Sequence, residues 1–273
     1  MPKINKLGVI GSPIDHSLSP FIHSRFARQA KINIDYRPYK VEPDEVNIFL
    51  RDFFADKNSL GLNVTLPLKK EVFKLCDSKS QEVSFIEAAN TLIKKNRGLH
   101  AETTDSTGLI KDLDEKKIEL GNQKVLMIGA GDAAESILFG VTKQKPENLF
   151  ISNRTIEKAE RLASKYNEFC DIVVLEDDKK IDADVVINTS SAGITGEFLE
   201  PKMVNIKEST TVYDLNYSIN GTPFCKWAEA FTEKVHDGTG MLVQQAAKSF
   251  EFWFSFEVDV KKVLKEIEQF KNE

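Results

Sequence analysis

At 273 residues the chain is long enough to bury one large core or two ordinary ones without staples. Its 41% hydrophobic and 29% charged residues describe a folded globular protein and exclude a disordered one. A net charge of −5 gives no general attraction to nucleic acid or anionic lipid, so neither is an expected partner.

Cys76, Cys170 and Cys225 show no C-x-x-C spacing, which argues against a disulfide framework and for a reducing, cytoplasmic setting. His16, His23, His100 and His236 have no metal-ligand spacing, so no metal is expected. The apolar run near the amino terminus is too short for a secretion signal, and no apolar stretch reaches membrane-spanning length.

In chain order, Lys6–Gly11 reads as a strand, Pro20–Ala30 as a helix and Asp35–Val41 as a strand. Pro43–Ala55 reads as a helix, with Val46, Phe49, Leu50 and Phe53 at helical spacing. Leu60–Thr65 is a short strand ended near Pro67, which suits the first turn of a following helix. Thr91–Ile93 and Leu99–Glu102 flank an Asn96-Arg97-Gly98 turn, a hairpin signal, and Asp105 opens a helix to about Leu113. The apolar pattern lapses over Glu115–Asn122, which places a domain crossing within residues 103–122. Strands at 124–128, 149–153, 172–175, 184–188 and 211–215, with helices at 133–143 and 156–168, predict an open parallel sheet covered on both faces. Helices at 241–256 and 260–270 end the chain, and the aromatic stripe around Trp253 reads as core. The pattern leaves open whether this tail covers the second sheet or returns to the first domain.

Gly129-Ala130-Gly131-Asp132-Ala133-Ala134 follows a strand and opens a helix, the context in which G-x-G-x-x-A binds a dinucleotide. Gly129 allows the tight turn, Gly131 lets backbone approach the pyrophosphate, and Ala134 is small enough for close helix–strand packing. The next strand ends in Asn153-Arg154-Thr155, where NAD enzymes carry an acid for the ribose hydroxyls. Arg154, with Lys158 one turn on, suits a ribose 2′-phosphate instead, so NADP is the expected cofactor.

Polar clusters punctuate the amino-terminal half. Ser17 and Ser19 are two hydroxyls at a helix start, suited to a carboxylate or to simple capping before Pro20. Alternation sends Asn63 and Thr65 to one side of their strand. Lys69 falls in the first turn of the next helix, against the helix dipole, which marks either a functional or a solvated lysine. Asn90-Thr91 and Thr104-Asp105 are further polar pairs at element boundaries.

Taken in order, S-P-I-D-H-S-L-S-P, N-V-T-L-P-L-K, A-N-T-L, T-D-S-T-G, G-A-G-D-A-A, N-R-T, Y-D-L-N-Y and D-G-T-G-M-L-V-Q-Q-A-A resemble the shikimate dehydrogenase family. The resemblance implies two α/β domains: a substrate and catalytic domain at residues 1–104, completed by the helices of 240–273, and a Rossmann-like NADP-binding domain at 105–239. It implies NADPH-dependent reduction of 3-dehydroshikimate to shikimate in aromatic amino-acid biosynthesis, by a monomer or homodimer. Ser17, Ser19 and Tyr217 would hold the substrate carboxylate, and Thr65, Asn90 and Gln245 the ring hydroxyls. Lys69 and Asp105 would form the catalytic pair. Gly129, Ala130, Gly131, Asp132, Ala133, Ala134, Asn153, Arg154, Thr155, Lys158, Thr189 and Gly238 would bind the cofactor.

The chain departs from the family at four positions. Glycine is usual where Asp132 and Ser106 stand, a basic residue where Glu135 stands, and Asn where Thr103 stands. Two acids beside a pyrophosphate oppose binding: at an effective dielectric near 20, one charge pair about 6 Å apart costs roughly 3 kcal/mol before screening. Weaker NADP binding is therefore expected. The alternatives are a quinate/shikimate relative that uses NAD, and a non-catalytic nucleotide-binding relative.

Overall fold

The computed structural model describes residues 4–176, 179–192 and 198–269 with their side chains, and 270–272 by backbone alone. The chain forms two compact units, Met1–Gly108 with Val243–Ile267, and Leu109–Leu242 with Glu268–Glu273.

The first unit contains strands β1 (Asn5–Gly11), β2 (Ile34–Lys40), β3 (Gly61–Val64), β4 (Ser78–Lys79), β5 (Thr91–Lys95) and β6 (Gly98–Glu102). Helices α1 (Ser19–Ala30), α2 (Val46–Ala55), α3 (Lys69–Leu75) and α4 (Gln81–Ile86) connect them. The strands form one sheet in the order β2-β1-β3-β5-β6-β4. β1 runs parallel to β2 and β3, as the crossovers through α1 and α2 require, while β5 is antiparallel to β3 and β6. Pro38 donates no backbone hydrogen bond, and it sits in the terminal strand β2, where that loss is tolerated. Ile10, Leu62, Val64, Leu50, Phe53 and Val72 pack into one core.

Leu7, Ile93 and Trp253 form a second cluster, which brings in the late helix α9 (Thr239–Phe254). Trp253 Nε1 donates to the Leu92 carbonyl at 3.0 Å across Gly61. The following helix α10 (Val260–Asn272) is tied to α1 by the Arg25–Glu266 ion pair at 2.8 Å. Patterning alone left the tail's destination open; these contacts place α9 on the first sheet. A Cβ at Gly61 would overlap both Trp253 Nε1 and the Leu92 carbonyl. Gly61→Ala is therefore expected to cost about 1–3 kcal/mol, the usual scale of overpacking. Urea denaturation reads this directly, and an unchanged midpoint would show that Trp253 moves aside freely.

Helix α5 (Asp105–Glu115) begins in the first unit and ends in the second. The second unit then runs β7 (Lys124–Ile128), α6 (Asp132–Lys143), β8 (Asn148–Ser152), α7 (Ile156–Tyr166) and β9 (Ile172–Leu175). It continues with β10 (Ile181–Asp182), β11 (Val185–Asn188), β12 (Val204–Asn205), β13 (Thr211–Asp214), α8 (Pro223–Ala228) and β14 (Val235–His236). Six strands form a sheet in the order β14-β13-β11-β7-β8-β9, parallel throughout, and β10 pairs separately with β12. Central strands β7 and β11 are nearly continuous buried apolar runs, as a parallel sheet needs. The order reverses at β7, with β8 on one side and β11 on the other, so the carboxyl ends of β7 and β11 flank a topological switch point. The short pieces β4, β10, β12, β14, α4 and α8 carry too little pattern to be read from sequence; α4 is held by a Ser80 cap that accepts from Val83 N–H at 3.3 Å.

Candidate active site

In the first unit the polar clusters converge through hydrogen bonds. Helix α1 starts at Ser19 with no side-chain cap and no acid in its first turn. Ser17 Oγ accepts from the Ser19 N–H at 3.3 Å, and Ser19 is buried. A positive helix end bearing two hydroxyls has the chemistry of a carboxylate site. Behind it lies Tyr36, whose hydroxyl donates to Asn63 Oδ1 at 2.8 Å. Burial raises the Tyr36 phenol well above its usual range, with a hydrogen bond from Ser19 opposing the shift.

Lys69 opens α3 and Asp105 opens α5; Lys69 Nζ donates to Asp105 Oδ2 at 2.6 Å. The two side chains are only 16% and 11% exposed, so water screens the pair weakly. Asp105 Oδ1 accepts from Asn90 Nδ2 at 2.8 Å, so both carboxylate oxygens are engaged. Asn90 Nδ2 also lies 3.3 Å from Gln245 Oε1, and Thr104 Oγ1 donates to the same oxygen at 3.1 Å. Thr65 follows β3, half-buried, its N–H bonded to the Ile10 carbonyl. Lys69, Asp105, Asn90 and Gln245 are thus one connected set, with an ammonium that can give or take a proton beside amides that can hold hydroxyls. Tyr217 lies in the second unit, on the chain after β13, and burial raises its phenol pKa.

The second unit carries the glycine loop. Gly129 has φ +109°, and a Cβ there would lie 2.5 Å from Thr189 Oγ1, so the position requires glycine. Around Gly131 there is open space within 4 Å of a notional Cβ, which leaves its backbone approachable. Ala133 is half-buried and Ala134 fully buried, the latter packed as the motif requires. The buried Thr189 donates to the Ile128 carbonyl at 3.0 Å, and Gly238 approaches the Leu215 carbonyl too closely for any side chain.

Asn153, expected on the 2′-phosphate, has its side chain spent on the loop itself. Its Oδ1 accepts from Ala130 N–H at 2.9 Å and its Nδ2 donates to the Thr155 carbonyl at 2.7 Å. Thr155 is the exposed N-cap of α7 and makes no side-chain cap. Arg154 and Lys158 are exposed and make no ion pair among the described residues, so both cations stay available to a phosphate. The loop therefore fits a phosphorylated dinucleotide. Arg154→Gln is expected to weaken NADP about tenfold, the worth of one charge-assisted hydrogen bond, and to leave NAD binding nearly unchanged. Titration of both nucleotides checks this, and an equal loss for both would remove Arg154 from the 2′-phosphate.

One of the two acids near the loop has a cationic partner inside the unit. Glu135 is 8% exposed and accepts from Lys165 Nζ on α7 at 2.7 Å, so its charge is balanced inside the unit. Of the two acids only Asp132 is exposed at the loop. The expected weakening of NADP binding shrinks accordingly.

Several structural partners escaped sequence reading. Asp214, buried at the end of β13, accepts from Asn188 Nδ2 at 2.9 Å, Thr222 Oγ1 at 2.6 Å and Asn216 N–H at 3.1 Å. Asn216 Nδ2 in turn donates to the Ser190 carbonyl at 2.7 Å. One carboxylate thus gathers the chain after β11, which holds Thr189, and the chain after β13, which holds Tyr217. Burial raises the Asp214 pKa, with these hydrogen bonds opposing the shift. Its aspartate stands in the Y-D-L-N-Y run, which gave the only signal.

Comparison with known proteins bears on the whole chain. Residues 9–92 match the shikimate dehydrogenase substrate binding domain, 112–215 the shikimate / quinate 5-dehydrogenase family, and 238–268 the shikimate 5′-dehydrogenase C-terminal domain. Shikimate dehydrogenase (NADP(+)) of Aeromonas salmonicida is 36% identical over 264 residues, which cover 96% of each chain. That of Vesicomyosocius okutanii is 38% identical over 265 residues, 95% of this chain and 97% of its own. The crystal structure of shikimate dehydrogenase from Aquifex aeolicus is similar at a TM-score of 0.86 and 30% identity, covering 97% of both chains. Two units of mixed α/β structure, a phosphate loop at a switch point and full-length likeness to these enzymes agree: the chain belongs to the shikimate dehydrogenase family.

Proposed function

We propose that this protein catalyses the reversible NADPH-dependent reduction of 3-dehydroshikimate to shikimate, within aromatic amino-acid biosynthesis. The observation that carries this reading is the Lys69–Asp105 pair at 2.6 Å, joined through Asn90 to Gln245. NADP, held by the Gly129–Ala134 loop, Arg154 and Lys158, supplies the hydride when bound. Reduction creates an alkoxide that needs a proton, and Lys69 Nζ delivers it; oxidation reverses the transfer. Asp105 holds Nζ in place through Oδ2, while the bond from Asn90 fixes the carboxylate's plane. Ser17, Ser19 and Tyr217 bind the carboxylate, and Thr65, Asn90 and Gln245 bind the ring hydroxyls.

Residues 1–104 with 240–273 serve as the substrate and catalytic domain in this reading, and 105–239 as the NADP-binding domain. No described helix is long and apolar enough to cross a membrane. Three thiol side chains without a disulfide suit a cytoplasmic enzyme, and a monomer or homodimer is the assembly this reading takes from the family resemblance. Following NADPH absorbance with shikimate, and with quinate and NAD in parallel, tests the proposal. Turnover with shikimate and NADP is expected; activity confined to quinate with NAD, or none at all, would overturn it.

A further inference from the structure

The amides assigned above to the ring hydroxyls rest on a residue that no motif marks. Ser249 is fully buried on α9, one turn after Gln245, so the two share a helix face. Its hydroxyl oxygen accepts from Asn63 Nδ2 at 2.9 Å and lies 2.8 Å from Thr91 Oγ1 and 3.4 Å from Thr104 Oγ1. It also reaches the carbonyl of Gln245 at 3.1 Å. One side chain therefore touches β3, β5, the chain before α5, and its own helix.

The donors and acceptors give this junction a direction. The backbone N–H of Thr104 donates to Asn90 Oδ1 at 2.9 Å, which fixes that oxygen as the acceptor end of the amide. Thr91 Oγ1 donates to the same oxygen at 3.0 Å. Thr91 O–H donates to Asn90 Oδ1, so Ser249, which accepts from Asn63 Nδ2–H, shares its single proton between Thr91 Oγ1 and the Gln245 carbonyl. Linked bonds of this kind polarise one another. With Oδ1 turned inward, Asn90 Nδ2 must face Asp105, Thr104 and Gln245 Oε1. Gln245 then has its oxygen occupied, and its Nε2 has no partner among the described residues. Two N–H donors are left for a substrate hydroxyl.

We propose that Ser249 is a positioning residue that locks the orientation of the Asn90 and Gln245 amides and so sets recognition of the substrate's ring hydroxyls. This inference rests on the reading of the protein as a shikimate dehydrogenase. Ser249 touches neither the Lys69 Nζ nor the glycine loop. Its removal acts first on the amides, and reaches Lys69 only at second hand, through the Asn90–Asp105 bond.

The test is steady-state kinetics of Ser249→Ala against wild type, with shikimate and with an analogue lacking the ring hydroxyls beside the reacting carbon. The expected result is a rise of about tenfold in KM for shikimate, the effect of one lost hydrogen bond of about 1.4 kcal/mol. With it, kcat should change less than about threefold, KM for NADP should stay unchanged, and the analogue should show no added penalty. Ser249→Cys, close in size and a weak hydrogen-bonder, should fall between the two. Equal loss for shikimate and the analogue, or KM values for shikimate and NADP rising together with a lowered melting temperature, would mean a merely structural role. An unchanged shikimate KM in an active Ser249→Ala enzyme would sink the inference alone. A wild type inactive on shikimate would sink the reading of function and the inference with it.

Discussion

Lys69→Ala is expected to lower kcat by about 10²-fold or more, on the scale of lost general acid–base catalysis, with the shikimate KM changed only a few-fold. The asymmetry follows from the site's division of labour. Among the described residues Lys69 is the cation bonded to Asp105, and its ammonium lies at the first turn of α3, where the helix dipole disfavours it. The nearby carboxylate at 2.6 Å offsets that cost, which ties the lysine to its place. The groups proposed to bind substrate, Ser17, Ser19, Asn90 and Gln245, remain in the variant, so on this proposal ground-state affinity survives while proton delivery does not. Lys69→Arg would not rescue fully, because the planar fork of guanidinium differs from a compact ammonium and surrenders its proton far less readily. Initial rates from NADPH absorbance decide the matter; near-normal turnover of Lys69→Ala would remove it from the chemistry.

The second large effect concerns acid stability. His23 is fully buried on α1, its ring stacked on Tyr36 at 4.3 Å between centroids and packed among Phe26, Phe250 and Trp253. Neither ring nitrogen meets a partner in hydrogen-bonding geometry. Burial pushes its pKa from 6.5 down to about 3, and the nearby amide of Asn63 offsets only part of that. The unfolded chain takes up the proton below pH 6.5 and the folded chain only near 3, so stability falls as pH drops through this window. The full loss is on the order of 5 kcal/mol, and between pH 7 and 4.5 about 2–3 kcal/mol of it should be visible. His23→Phe fills the same aromatic cage without a titrating group. Its urea midpoints at pH 7 and 4.5 should therefore lie much closer together than those of wild type. An identical pH slope in both proteins would assign the acid loss to other groups.

Much of this molecule was legible because its sequence signals are local. The strand at Lys124–Ile128, the turn at Gly129 and the helix behind it needed only hydrophobic alternation and two glycines in a row of six. Element ends moved by a few residues: the helix read as Pro43–Ala55 begins at Val46, with Glu45 at the N-cap position and no side-chain cap. Arg154 at the end of the second strand of its sheet pointed to a 2′-phosphate because an acid there would repel one. What stayed hidden are partnerships across long stretches of chain. Asn63 and Ser249 are 186 positions apart, and Lys165 and Glu135 are 30 apart. No periodicity couples such pairs. Glu135 read alone looks like a repulsive acid, and only the salt bridge reveals a neutralised one. Asn153 likewise reads as a phosphate ligand by its neighbours, while its amide is already committed to Ala130 and Thr155. The roles proposed for Ser17, Ser19, Lys69 and Asp105 rest on family resemblance, because spacing alone cannot separate a catalytic lysine from a solvated one.

The docking of α9 on the first sheet also bears on how the protein is made. Trp253 bonds a carbonyl 161 positions earlier, and Ser249 accepts from a side chain earlier still. Synthesis runs from the amino terminus, so β1 to β6 leave the ribosome with Leu7, Ile93 and the groove over Gly61 still uncovered. The strands β7 to β14 are encoded without interruption and can close into their sheet first. A nascent chain stalled before α9 would hold every strand of both sheets while its first unit still lacked Gln245, Ser249 and Trp253. The strands of both sheets are therefore complete before α9, the helix that covers Gly61, is made.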